Sequence, residues 1–431
     1  MARSPSKESP HLPKPFCLGC NCTAFYGNLK TMISEKKRVL LVSSQPIQNP
    51  ASLRLMAKHP KLDILVAYCT LPEEKLHTDS LQNNPEYITK SVFDIPLLED
   101  YPWVYVPNRS PVPNLDSAFG LINPGLIKLV KDFDCCVVYG HNYVTFWMAI
   151  AAAKLAKKPL ILSTDATYIE PISGDNWKIP LKKKVLPFLY NQIADAVLVL
   201  STASKRFIHS LGVPEDRIFI TPYVVDNDAI AETARNSSRS SVRSKWNIPE
   251  DATVVVFCAK FIPRKRPQDV IEAFAKANIP NSYLLMVGDG PLADDLKAQA
   301  KDLGIKDKVC FLGLVKYSNL PEVYASSNIL AFSSEYEPYG LPVNEAMICG
   351  IPVVVSDRIG AGYDLVEEGK TGFTYPCGNI DALTTIFKQT LTQPDKLRVM
   401  GIAAKTRMET WSPRENVESL VEAVGKVTSL V

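Results

Sequence analysis

Short runs of uninterrupted aliphatic residues recur along this chain, each followed by a segment of helical pattern. Val39-Leu40-Leu41-Val42 opens the series and Val353-Val354-Val355 comes late in it. A strand with one face in water alternates apolar and polar residues, whereas a continuous Val/Ile/Leu run is covered on both faces. The pattern therefore predicts α/β architecture with parallel sheets. Candidate strands lie at residues 39–43, 63–68, 134–139, 159–162 and 196–200, and candidate helices at 123–131, 143–156 and 203–210. Residues 70–120 are rich in Pro and Asn and show no clear pattern. A polar stretch at 236–245, mostly Ser and Arg, reads as exposed. Beyond it the alternation restarts, with strands at 253–257, 283–287, 309–312, 328–332 and 352–355. A helix at 267–277 has Pro267 in its first turn and Val270, Ile271, Phe274 and Ala275 on one face. The next places Leu292, Leu296 and Leu303 on one side and stops at Gly304. Asn319-Leu320-Pro321-Glu322 has the spacing of a capping box.

A chain of 431 residues is too long for one compact core, so two domains are expected. The division read from the pattern is an N-terminal extension at 1–31, an α/β domain at 32–230, a linker region at 231–250, a second α/β domain at 251–410 and a C-terminal helix at 411–431. The tail is rich in Pro, Ser and Lys, and a functional start at Met32 is the expectation; a transit peptide is the alternative, because acidic residues are scarce there. A net charge of +3 is small for this length and gives no basic stripe for nucleic acid. The longest apolar run, residues 146–153, is too short to span a membrane. Ten scattered cysteines read as buried thiols in a reducing cytoplasm. Cys17, Cys20 and Cys22 have metal-ligand spacing, but no second His/Cys cluster completes a tetrahedral site, and an irregular tail is the preferred reading.

The densest chemistry lies between the strands at 328–332 and 352–355. Glu337-Pro338-Tyr339-Gly340-Leu341-Pro342-Val343-Asn344-Glu345 puts two carboxylates eight positions apart around a turn. In a parallel sheet that turn sits at the carboxyl end of its strand, where α/β proteins bind ligands. A helix beginning near Gly340 and Leu341 would point free N–H groups at an anion. Glu337 would stay on the loop and Glu345 would sit a turn inside the helix, both placed to accept hydrogen bonds from sugar and ribose hydroxyls. Ala259-Lys260-Phe261-Ile262-Pro263-Arg264-Lys265-Arg266, at the end of another strand, supplies cations for a diphosphate.

These residues resemble the retaining glycosyltransferases of family 4, which have the GT-B fold of two Rossmann-like domains facing across a cleft. The family's E-x7-E motif matches Glu337 to Glu345, and its Gly-Arg-Leu-x-x-x-Lys-Gly element aligns with Ala259 to Arg266. Val287-Gly288-Asp289-Gly290-Pro291, Phe311-Leu312-Gly313 and Gly369-Lys370-Thr371-Gly372-Phe373 match further family turns. The resemblance is dense over 250–380 and thinner but continuous over 38–226. It implies that Lys265 binds phosphate and that Lys260 stands where the family usually has Arg. It implies that Glu337 holds the donor sugar, Glu345 the ribose, and that Gly340 and Leu341 offer N–H groups to the diphosphate. Gly288 and Gly290 would shape the donor site, and Leu314 and Val315 would line the base. In the N-terminal half His141 matches the family's cleft histidine, and Thr164 and Asp165 end a strand on the acceptor side. Two departures stand out. Residues 43–50 lack the Gly-Gly the family often carries after its first strand, and Tyr223 replaces an Asn at the hinge.

The expected reaction is transfer of a sugar, with retention, from a nucleotide diphosphate sugar to a hydroxyl of a glycan, lipid or small molecule. His141, Lys260, Lys265 and Glu337 would form its catalytic group. No cofactor or metal is expected, since the lysines can neutralise the diphosphate. A GT-B epimerase or hydrolase is one alternative. A non-catalytic sugar-nucleotide or membrane-surface binding protein is another, because Lys178, Lys182, Lys183 and Lys184 adjoin Leu186-Pro187-Phe188-Leu189-Tyr190, a sequence suited to an anionic bilayer surface. The partners expected are a nucleotide-sugar donor and an acceptor, with the protein in the cytoplasm or at the membrane surface.

Overall fold

The computed structural model describes residues 36–47, 50–71, 94–168 and 178–429. Two sheets organise them, and every strand pair is parallel. The first contains β1 (Lys37–Ser43), β2 (Leu62–Tyr68), β3 (Trp103–Tyr105), β4 (Cys135–Tyr139), β5 (Leu160–Thr164), β6 (Ala196–Val199) and β7 (Ile218–Ile220), in the order β3-β2-β1-β4-β5-β6-β7. The second contains β8 (Thr253–Cys258), β9 (Ser282–Val287), β10 (Val309–Gly313), β11 (Ile329–Phe332), β12 (Val353–Ser356) and β13 (Gly372–Tyr375), in the order β10-β9-β8-β11-β12-β13. Both orders reverse direction beside the first strand of the lobe, the doubly wound arrangement with its crevice at the carboxyl ends of the strands.

The aliphatic runs explain the layers. Val39, Leu40, Leu41 and Val42 are all fully buried, their side chains alternating between two apolar clusters on opposite faces of the first sheet. β8 does the same in the second lobe, with Val254 and Val256 on one face and Val255 and Phe257 on the other. The carboxyl-terminal helix Pro413–Thr428 returns to the first lobe, where Val417, Leu420, Ala423, Val424 and Val427 cover one face of its sheet. Its start has both halves of a capping box, Ser412 with Glu415.

Several expectations need correction. The stretch at 236–245 is exposed at Asn236, Ser238, Ser240, Ser241, Ser244 and Lys245, but it takes part in the helices Asn227–Asn236 and Arg239–Ser244 and buries Val242 and Arg243, the latter 1% exposed. Asn319 makes no capping bond, because it already lies in the 3-10 turn Tyr317–Asn319 with helical backbone angles when the helix Leu320–Ser326 begins. Leu296 is buried, but Leu303 follows the last turn of its helix and is exposed. Cys310 is only half-buried because β10 is an edge strand. Leu186, Leu189 and Tyr190 are core residues of the first lobe, so they cannot lie on a membrane; Leu181, Phe188, Lys182, Lys183 and Lys184 are exposed. No helix among the described residues is long and apolar enough to cross a membrane. Residues 1–31, with Cys17, Cys20 and Cys22, lie outside the described residues, as do Gln48 and Asn49 of the glycine-free loop; in the described part of that loop Ser43 Oγ donates to Gln45 O at 2.8 Å.

Candidate active site

β11 delivers its chain to the crevice and ends in two buried serines that tie it to the turn after β8. Ser333 Oγ reaches the carbonyls of Lys265 (2.9 Å) and Arg266 (2.8 Å), and Ser334 Oγ reaches that of Arg264 (3.2 Å). Ser356, at the end of β12, donates to Ser334 O at 2.6 Å. Three strand ends are thereby laced together before any charged side chain is considered. Glu337 is then fixed through its backbone: its N–H donates to Arg358 O at 3.1 Å and its carbonyl accepts from Gly360 N at 3.0 Å.

The helix Leu341–Ile348 starts directly after Gly340, which has φ 104° and ψ 68°. A side chain there would be strained and would crowd Ile359 and Phe332 at 3.0 Å. Pro342 occupies the first turn. Pro342 has no N–H and Val343 N–H donates to Gly340 O at 3.0 Å, so the N–H groups presented at the positive end of the helix dipole are those of Gly340 and Leu341.

The two glutamates behave differently. The Glu337 carboxylate is ion-paired with Lys265, whose side chain is 11% exposed, and its Oε2 also lies 3.3 Å from Arg264 Nη1. The Lys265 ammonium also sits 5.5 Å from the centre of the Phe332 ring. Glu345, on the fifth residue of the helix, is buried and accepts from Tyr324 Oη at 2.9 Å. Burial pushes its carboxyl up to about 7, against the lowering effect of hydrogen bonds from Tyr324 and Tyr317. Sequence reading missed both tyrosines; Tyr324 is 21 residues away on another helix, with no spacing rule to connect it.

The donor-side glycines follow β9. Gly288 has φ 137°, and a Cβ there would fall 1.9 Å from Ala259 O, so only glycine lets the β8 and β9 turns touch. Gly290, at φ 155°, packs similarly against the Phe261 backbone. Lys260 lies half-buried in the turn after β8. Beyond Gly313, Leu314 is exposed and Val315 packs on the core, which makes a ledge beside the crevice.

Across the crevice, a cavity of about 660 Å³ is lined by His141, Thr164 and Asp165, together with Ser43, Tyr223 and Tyr336. His141 Nδ1 pairs with Tyr190 Oη at 3.1 Å, and the rings meet edge to face at 5.9 Å. Burial, with Lys182 nearby, lowers the imidazole to about 4, so it is neutral at physiological pH. Asp165 is exposed to the cavity but walled by protein on most sides, and desolvation raises its carboxyl above the usual range. The Tyr336 ring, next to Glu337, meets Tyr168 of the first lobe at 5.0 Å. At the hinge, the Tyr223 ring meets that of Tyr339 edge to face at 5.3 Å and its carbonyl accepts from Asn344 Nδ2 at 3.0 Å. The tyrosine that replaces the usual Asn thus bridges the lobes with its ring and its backbone.

The helix start with Lys265 and Glu337 lies on the second lobe, and the cavity beside His141 lies across the crevice from it. A sequence model described as Glycosyltransferase Family 4 matches residues 86–229, and one described as Glycosyl transferases group 1 matches residues 238–407. The chain is 28% identical over 297 residues to a GDP-mannose-dependent alpha-(1-6)-phosphatidylinositol monomannoside mannosyltransferase of Mycolicibacterium smegmatis, covering 65% of this chain and 76% of the relative. It is 31% identical over 232 residues to the N-acetyl-alpha-D-glucosaminyl L-malate synthase of Bacillus anthracis, covering 54% of this chain and 59% of that relative's length. Among solved structures, Anabaena HepE in complex with UDP and glucose superposes with a TM-score of 0.66 at 20% identity, over 90% of this chain and 100% of that one. With one lobe matched by each sequence model and the same two-lobed architecture throughout, the chain belongs to the family 4-like glycosyltransferases of GT-B fold.

Proposed function

We propose that the protein transfers a sugar, with retention, from a nucleotide diphosphate sugar to an acceptor hydroxyl. The observation that carries this reading is the convergence of Lys265, Glu337 and the start of the Leu341–Ile348 helix at one crevice, with Glu345 a turn further in. The diphosphate lies at the helix start, with Lys265 and Lys260 as its cations, and the ribose reaches Glu345. Leu314 and Val315 flank the base, with the turn at Gly288 and Gly290 beneath the nucleotide. The acceptor enters beside His141, Thr164 and Asp165. Its hydroxyl attacks the anomeric carbon on the face the diphosphate leaves; the carbon–oxygen bond to phosphate breaks and the acceptor proton passes to the departing phosphate oxygen. Lys265 and the helix N–H groups stabilise the charge that develops there. Neutral His141 accepts or donates a hydrogen bond without adding a positive charge. Relatives and neighbours differ in what their names specify, GDP-mannose in one case and UDP with glucose in another. A thermal-shift panel of UDP-, GDP- and ADP-sugars tests the donor reading: a ligand at 100 times its Kd adds roughly 2.7 kcal/mol of apparent stability. A panel in which no nucleotide sugar raises the melting temperature overturns it.

Because cations and helix N–H groups neutralise the diphosphate, transfer is expected to proceed in EDTA. Activity lost to EDTA and restored by a divalent ion counts against this account. We place the protein in the cytoplasm, consistent with the free thiols of Cys69, Cys135, Cys136 and Cys258 in its core; the exposed Leu181, Phe188 and their lysines allow contact with a membrane surface.

Glu345 gives the reading a pH signature. Ribose hydroxyls donate best to an ionised carboxylate, and this one titrates at about 7. It is roughly one-tenth ionised at pH 6 and roughly nine-tenths at pH 8. Donor binding is expected to tighten about tenfold between those values, with proton release on binding below pH 7. UDP-glucose suits the calorimetry, because its diphosphate carries no titrating proton in this range. Glu345→Gln is expected to bind weakly and without the pH dependence. The same group bears on stability: its carboxyl is raised on folding, so its favourable contribution is complete below about 4.5 and is lost as pH rises through about 7.

A further inference from the structure

We propose that Arg264 is the positioning residue for the donor-sugar carboxylate: it holds Glu337 in place when the donor diphosphate draws Lys265 away. The inference rests on the roles given to Glu337 and Lys265 above. In this structure Lys265, the phosphate cation, is paired with Glu337. An ammonium on a flexible stem is a point charge. It cannot move onto a phosphate and still fix the orientation of a carboxylate behind it. Glu337 is only 18% exposed at its side chain, so losing its partner leaves a poorly solvated charge free to turn.

Arg264 meets that need. Its Nη1 donates to Tyr336 O at 2.5 Å and lies 3.3 Å from Glu337 Oε2. Its own carbonyl accepts from Glu335 N at 2.8 Å and from Ser334 Oγ at 3.2 Å. Arg264 is thus tied to residues 334–337 through its backbone carbonyl and, independently, through Nη1 of its guanidinium, in contacts that do not involve Lys265. Both cations sit on Oε2. Oε1 is the atom left to accept from a sugar hydroxyl, and a planar guanidinium held by a carbonyl keeps it aimed. Arg264 makes no contact with substrate in this scheme. The neighbouring Arg266 cannot substitute, because it turns back to Asp269 with Nε 2.7 Å from Oδ2.

The distinguishing property is selectivity for the sugar over the nucleotide. Isothermal titration of the full chain with UDP and with UDP-glucose is expected to show that Arg264→Ala keeps UDP affinity within about twofold. The extra affinity for UDP-glucose should be lost, and kcat should fall about tenfold or more. Arg264→Lys, which can still reach Tyr336 O, is expected to recover part of the kcat. A role confined to loop stability would weaken UDP and UDP-glucose together and lower the melting temperature; that pattern, or unchanged UDP-glucose binding and kcat in Arg264→Ala, overturns the proposal. Glu337→Gln separates the inference from its foundation. If that variant loses no preference for the nucleotide sugar over the nucleotide, the role of Glu337 itself is wrong; where the thermal-shift panel selects a GDP- or ADP-sugar, that sugar and its nucleotide replace the uridine pair in these titrations, and wild type that binds no nucleotide sugar of the panel overturns the donor reading and this inference with it.

Discussion

Lys265→Ala is expected to lower kcat/KM by roughly 10²–10³, the scale of removing one donor aimed at developing negative charge. The residue is 9% exposed and its ammonium stands over the Phe332 ring, so its charge acts in a less polar medium than a surface lysine's. Two losses combine. The diphosphate loses its buried cation in the ground state, which weakens donor binding, and it loses the same cation as the glycosidic bond breaks, which lowers kcat. The fold should suffer less than a broken buried ion pair ordinarily implies, because Arg264 still faces the Glu337 carboxylate. Lys265→Arg restores charge but puts a larger fork into a space enclosed by Phe332 and Glu337, so partial recovery is expected. The checks are donor affinity by calorimetry and initial rates with saturating acceptor. Full donor affinity in Lys265→Ala removes the diphosphate cation from the mechanism.

The second lobe was more legible than the first, for a local reason. Its motifs are strand–turn–helix units in which one glycine decides the backbone: Gly340 at the start of its helix, Gly288 where two turns touch. A spacing rule can register such units because the residues involved are neighbours in sequence. It cannot register which side chains meet across the crevice. The run Lys260 to Arg266 reads as one basic clamp, yet its members do different work. Lys265 and Arg264 face Glu337, while Arg266, in a left-handed conformation at φ 48°, pairs with Asp269. Glu345 depends on Tyr324 from the preceding helix, and His141 on Tyr190 from a segment that looks suited to a membrane surface. In the first lobe β3 is three residues long, too short for any periodicity to reveal.

Within the otherwise mostly exposed residues 236–245, composition gives no sign that Arg243 is buried, and that burial has a measurable consequence. Arg243→Ala is expected to destabilise the protein by about 2–5 kcal/mol, the range for emptying a large buried side chain, with the carbonyls it serves left without this donor. The side chain is 1% exposed, and every guanidinium nitrogen is engaged: Nε donates to Ser326 O at 3.0 Å, Nη1 to Pro249, Glu250 and Ala252 O at 3.1, 2.7 and 2.9 Å, and Nη2 to Asn328 Oδ1 at 3.0 Å. Burial lowers its pKa only to about 10, so it remains a cation at neutral pH. Without it four carbonyls lose this donor, Asn328 Oδ1 keeps only Arg239 Nη2 and Val254 N, and nothing apolar of equal volume fills the space. Arg243→Lys should rescue little, since one ammonium cannot span acceptors set around a planar fork. The cost extends to the site. Asn328 Oδ1 also accepts from Val254 N at 2.9 Å, so the cluster sets where β8 and β11 begin, and the turns that follow those strands carry Lys265 and Glu337. Urea unfolding should therefore show a lower midpoint with an unchanged slope, and donor affinity should fall in proportion even though Arg243 touches no substrate. A loss of stability below about 1 kcal/mol, within the range of ordinary surface substitutions, would mean that the carbonyls find water instead and that the guanidinium is not what registers the two strands.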